Sequence, residues 1–181
     1  MKRFIILVAC IVLQTATGSH ANAMVESMNL RGQGEVRYLG FIKVYDANLY
    51  TENSSVSNDV LNPDVSKCLQ LSYHVPLTPE NFIEGATTVL SRQHPAEHLD
   101  TLDEEISLLH EAYRPVEKGD SYLLCYQAEN RTTTLSLNEK ELVAVDSAPF
   151  SSAYFGIWLG DNQPLDSNLQ RKLVDIKKWA E

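Results

Sequence analysis

The stretch Gly32–Thr51, GQGEVRYLGFIKVYDANLYT, decides how the rest of the chain must be arranged. From Val36 to Tyr50 apolar side chains fall on both parities, with Val36, Tyr38, Ile42 and Val44 on one and Leu39, Phe41, Tyr45, Ala47 and Leu49 on the other. The aromatic and β-branched content favours strand over helix, and a strand apolar on both parities is expected to be covered on both faces. Gly40 marks a bend or tight turn, so the stretch predicts a hairpin at the centre of a sheet. Arg37 and Lys43 lie inside this run on the parity of Leu39 and Phe41. A charge on a buried face is paired, snorkelled to an edge, or turned into a polar cavity. The first case makes Arg37 one half of an ion pair; the last makes it a ligand-facing group.

Working outward, residues 52–67 are polar, rich in Ser, Asn and Asp, and contain Pro63, which predicts a surface loop. Cys68 to Val75 alternates as a half-buried strand. In PLTPENFIEGATTVL, Thr78 suits an N-cap, Pro79 the first helical position and Glu80 the first turn, with Phe82, Ile83, Ala86, Val89 and Leu90 facing inward. A second helix is expected from Pro95, with Leu99, Leu102, Ile106 and Leu109 as one stripe. Three short strands, SYLLCYQ, TTTLSLN and ELVAVD, follow with short polar links, as in an antiparallel meander. PFSSAYFGIWLG is apolar nearly all round and predicts a buried helix ending at Gly160; a last helix from Asp166 or Ser167 places Leu169, Leu173 and Ile176 on one face. The pattern is α+β, an antiparallel sheet covered by helices.

The N-terminus reads as an export signal. Lys2 and Arg3 precede an apolar core from Phe4 to Leu13, and Ala21, Asn22 and Ala23 form a small-x-small cleavage site. A lipoprotein box ending at Cys10 is the weaker alternative, because the apolar run continues past it. The expectation is therefore a signal peptide at residues 1–23 and one periplasmic domain at 24–181. The apolar run is too short to span a membrane. The full chain carries a formal charge of −9, and losing Lys2 and Arg3 makes it more acidic. Such a surface repels phosphate backbones, so nucleic acid and anionic membranes are poor partners. Cys68 and Cys125 can form a disulfide in an oxidising compartment or remain buried thiols. His94 and His98 have the spacing of metal ligands on a helix, but Pro95 intervenes and no third ligand is evident.

Four segments together resemble the chalcone isomerase family, specifically its exported bacterial chalcone-isomerase-like branch: GQGEVRYLGFIKVYDANLY, LSYHVPLTPENFIEGATTVL, EKGDSYLLCYQ and FSSAYFGIWLGDNQPLDSNLQRKL. They run from Gly32 to Leu173 and end in an F-x(7)-WLG-x(3)-P pattern. The resemblance implies an open-faced β-sandwich, a long antiparallel sheet with a layer of helices against it and a cleft between. The family holds plant enzymes that close chalcones to flavanones, fatty-acid-binding members, and members without known catalysis. Matched position by position, Arg37 stands where the enzymes have an Arg, although the loop differs in length, and Tyr45 stands near their Thr. Phe82, Val89 and Ile157 replace their Tyr, Asn and Ser or Thr.

Most of the polar set is thus apolar here, and the cleft is expected to bind rather than to react. The expected ligand has an apolar body and an anionic head, a fatty acid or a porphyrin. Arg37 and Lys43 are expected to face the head, Tyr45, Phe82, Ala86, Val89 and Ile157 to line the cleft, and His74 to border it or to meet a haem iron; no other cofactor and no protein-bound metal are expected. Ile83, Phe155 and Trp158 are expected to line or back the cavity. One alternative is an isomerase that uses Arg37, Tyr45 and Tyr38. The other is a closed cleft in a module that binds a partner protein.

Overall fold

The computed structural model describes residues 20–52 and 59–174. The chain runs α1 (His20–Glu26), β1 (Asn29–Tyr38), β2 (Ile42–Thr51), β3 (Lys67–Tyr73), α2 (Pro79–Gln93), α3 (Ala96–Asp100), α4 (Asp103–Ala112), β4 (Ser121–Gln127), β5 (Thr132–Leu137), β6 (Lys140–Asp146), α5 (Ala148–Leu159) and α6 (Ser167–Val174). The strands pair antiparallel in sequence order, β1 to β6, as one six-stranded sheet. Residues 1–19, which hold most of the expected signal segment, lie outside the described residues, as do 53–58 of the expected loop. Helix α1 crosses the expected cleavage point, and Met24, Val25 and Met28 pack on the outer face of the sheet.

One face of the sheet carries the core. Ala47, Leu49, Leu69, Leu71, Tyr122, Leu124 and Leu135 belong to one buried cluster with Val89 and Leu90 of α2 and Phe150, Phe155 and Ile157 of α5. Helix α2 starts as its sequence predicts, with Asn81 and Thr78 forming a capping box and Pro79 in the first turn. Helix α5 has no polar face because it is wrapped on all sides, and nine of its twelve residues are buried. Helix α6 lies on β1. The absence of side chains at Gly32 and Gly34 permits this, since a Cβ at Gly32 would lie 2.3 Å from the Lys172 carbonyl oxygen.

Three expectations change. The hairpin is at an edge, with β1 outermost, and the most buried strands are β3 and β4. Its double-parity apolar pattern arises from one buried face plus an exposed tip, where Tyr38, Leu39, Phe41 and Ile42 face solvent. The turn itself uses left-handed backbone at Leu39 (φ 51°) and Gly40 (φ 78°). The helix expected from Pro95 is two helices broken at Thr101–Leu102, although Leu102 and Leu109 are still buried as one stripe. The strand from Cys68 is covered on both faces near its start. Cys68 and Cys125 are direct cross-strand partners joined by a disulfide, roofed by α1.

Candidate functional site

A cavity of about 690 Å³ lies between the inner face of the sheet and helices α2 and α5. This is within the size range of small-molecule sites, roughly 300–1,000 Å³. Its floor is Leu69, Leu71, Leu124 and Leu135, and its roof is Ala86, Val89 and Ile157. Toward the outside it is bounded by the hairpin tip through Val36, Tyr38 and Val44, and by Leu165. Asn81, Glu84, Thr88 and Arg92 form the exposed rim on α2, spaced three and four residues apart along one side of the helix.

At the inner end five tyrosines converge around Phe82: Tyr45, Tyr73, Tyr113, Tyr122 and Tyr154. Phe82 stacks on Tyr113 with ring centroids 5.0 Å apart and meets Tyr73 and Tyr122 edge-on at 5.6 and 5.4 Å. These contacts hold the rings rigid. The hydroxyls are only partly satisfied. Tyr122 donates to the Arg114 carbonyl at 2.9 Å and accepts from the Arg114 amide at 2.8 Å, which completes it. Tyr45 accepts from Trp158 Nε1 at 3.0 Å, and its own proton meets no acceptor among the described residues. Tyr113 and Tyr154 share one hydrogen bond of 2.8 Å between two protons. Tyr73, 3 % exposed, makes no hydrogen bond among the described residues. Burial raises the pKa of all five phenols, so they are donors and not phenolates.

Among the sequence-predicted site residues, the structure brings Tyr45, Phe82, Ala86, Val89, Ile157 and Trp158 together around the cavity. Arg37, Lys43 and His74 stand on the other face of the sheet, and this is a correction with a clear cause. Val36 pairs with Tyr45 but Arg37 pairs with Lys43, so Val44 is an extra residue in β2. The bulge reverses the parity of everything before it, and Lys43 turns outward with Asp46. Arg37 donates to Glu35 at 2.7 Å and to the Phe41 carbonyl at 3.2 Å. Lys43 bridges Asp46 at 2.7 Å and Glu35 at 3.3 Å, and His74 Nε2 is 2.7 Å from Asp46. The ion-pair reading of Arg37 is the one the geometry carries. Ile83 and Phe155 back the core without lining the cavity.

The cation at the cavity is Arg92, which the sequence reading missed. It donates from Nε to the Gln163 carbonyl and from an η nitrogen to that of Pro164, at 2.9 and 2.6 Å, tying α2 to the segment after α5. Tyr73, Tyr113, Tyr122 and Tyr154 were also missed. Tyr73 and Tyr122 occupy inward positions of their strands, a usable signal; Tyr113 and Tyr154 carry none that separates them from core. No described residue lining the cavity is His, Cys or Met; the haem-ligating side chains it does present are tyrosines, which burial keeps protonated. His94 and His98 lie with ring centroids 5.1 Å apart, and no group of three metal-ligating side chains occurs among the described residues. No helix among them is long and apolar enough to cross a membrane.

Comparison with known proteins agrees with this architecture. The family described as chalcone isomerase-like matches residues 14–175. The crystal structure of a fatty-acid binding protein of Arabidopsis thaliana superposes with a TM-score of 0.62 at 16 % identity, covering 83 % of this chain and 88 % of that one. No curated protein matches the sequence. The six-stranded antiparallel sheet, the helical layer over its apolar face and the match over residues 14–175 together establish that this chain belongs to the chalcone isomerase-like family.

Proposed function

We propose that this protein binds one elongated apolar molecule, of the fatty-acyl class, in the cleft between sheet and helices, and does so without catalysis. The observation that carries the reading is the cavity itself, apolar along its floor and roof with polar groups confined to its inner end and rim. That division suits a ligand with a long apolar body and a polar head. The fold shared with a fatty-acid binding protein supports the same reading. Catalysis of the chalcone type calls for a positioned phenolate and donors at the carbonyl that gains charge. Here phenols at the inner end can donate to a carbonyl, but Arg37 is engaged outside the cleft, Phe82 and Val89 donate no hydrogen bond, and no cation among the described residues lining that end stabilises a phenolate. A porphyrin is disfavoured because the described lining has no His, Cys or Met and burial opposes the phenolate form in which Tyr ligates iron. We further propose that the chain acts in the periplasm, as its N-terminal sequence suggests.

Titration with a fluorescent fatty acid, followed by displacement with unlabelled decanoic acid at pH 5.5, tests the reading. One saturable site per chain is expected. Absence of saturable binding by any acyl probe, with the protein shown to be folded, refutes it and leaves the partner-protein module as the working account.

A further inference from the structure

We infer that the ligand's head is received un-ionised at the inner, phenolic end of the cleft, so that the ligand class is neutral carbonyl-headed acyl molecules, namely esters, aldehydes, ketones or protonated acids. This rests on the cleft being a ligand site. Among the described residues, Tyr45 and Tyr73 each carry a proton without an acceptor, and the Tyr113–Tyr154 pair leaves one more. The ring of Tyr73 lies 5.6 Å from that of Tyr45 and 6.1 Å from that of Tyr122. These phenols are donors without a matching acceptor, at residues that are 1–8 % exposed. A carbonyl oxygen accepts from two such donors, whereas an ammonium brings only more donors.

The charge of the head follows from what faces this end. From β2, β3, β4 and α5, and from Tyr113 just past α4, come the five tyrosines. From α4 comes His110, its ring 6.0 Å from those of Tyr113 and Tyr154, its pKa lowered by burial and its Nε2 without a partner among the described residues. From α2 come only Phe82 here and, at the rim, Glu84 and Arg92. Arg92 lies ten residues along α2 from Phe82, about 15 Å away. Arg114, near enough to Tyr122 to act on its phenol, is exposed outside the lining and donates to the carbonyls of Glu111 and Tyr113. Among the described residues lining this end no cation pairs with a carboxylate held by the phenols, and an unpaired buried charge is far costlier than a buried neutral carbonyl.

The test uses decanoic acid and methyl decanoate on the wild-type protein and on Tyr73→Phe. That variant removes a hydroxyl with no internal partner, so it is expected to fold normally, as circular dichroism would show. Methyl decanoate is expected to bind with an affinity independent of pH. Decanoic acid is expected to weaken about a hundredfold between pH 5.5 and 7.5, because an aliphatic carboxyl with pKa about 4.3 loses its neutral form tenfold per pH unit. Tyr73→Phe is expected to weaken the ester about three- to tenfold, the worth of one hydrogen bond. Decanoic acid that binds as tightly at pH 7.5 as at 5.5, and loses that binding in Arg92→Ala, places an ionised head at the rim and overturns the inference while leaving the cleft reading intact. If neither molecule binds at any pH, the cleft reading fails and this inference fails with it.

Discussion

Gly85 offers a way to close the cleft without damaging the fold. It sits in the middle of α2, lines the cavity, and a Cβ placed there meets no heavy atom within 4 Å. A glycine inside a helix costs about 0.5–1 kcal/mol relative to alanine, and leucine is close to alanine in helix propensity. Gly85→Leu is therefore expected to raise stability by about 0.5–1 kcal/mol. With a urea slope of about 1–3 kcal/mol/M, the unfolding midpoint moves upward by roughly 0.2–1 M. The same side chain fills the space beside Ala86 and Val89 where an acyl chain would lie, so affinity for a fluorescent fatty acid is expected to fall at least about tenfold, or 1.4 kcal/mol. Urea unfolding and the binding titration are run on the same preparation. A lowered midpoint would show that the cavity at Gly85 is not open, and an unchanged affinity in a stabilised variant would show that the ligand lies elsewhere.

Three further outcomes are expected. Gly32→Ala drives a methyl group into the carbonyls of Lys172 and Leu173 and is expected to cost about 3 kcal/mol in urea unfolding by lifting α6 from β1; a loss under about 1 kcal/mol would contradict the close helix–strand contact. Cys68 and Cys125 are 57 residues apart, so replacing both by alanine is expected to destabilise by about 4 kcal/mol through loop entropy, measured by chemical unfolding. Lys67 is buried, donates to the carbonyls of Asn62 and Val65, and has its pKa pushed down to about 8 by burial, against about 10.4 unfolded. Between those values the unfolded chain binds more protons, so stability rises with pH. The gain is on the order of 3 kcal/mol from pH 8 to 10.4 relative to Lys67→Met, and a flat difference between the two proteins would contradict the burial of the ammonium.

Most of the fold was legible because its signals are local. Thr78-Pro79 starts α2, the apolar circumference of PFSSAYFGIWLG marks a helix wrapped by its neighbours, and the short apolar run of SYLLCYQ between polar ends marks a strand. The hairpin was read correctly as a hairpin but placed wrongly, since an apolar tip exposed at Leu39 and Phe41 has the same composition as a buried one. At the site, the apolar lining at Phe82, Ala86, Val89 and Ile157 could be anticipated from position. The charged residues could not, because one bulge at Val44 reverses the face of Lys43, and no sequence rule marks that insertion. The unpaired phenolic protons depend on which hydroxyls meet, and Tyr113 and Tyr154 are 41 residues apart. Only the assembled structure brings them together.

The central claim is that the cleft is occupied by an acyl ligand. Native mass spectrometry of the protein purified without delipidation, side by side with Gly85→Leu, tests it most directly. The account predicts one adduct of lipid mass per wild-type chain and its loss from the variant. A wild-type chain with no adduct that also takes up no added acyl probe, or an adduct retained equally by Gly85→Leu, would contradict it.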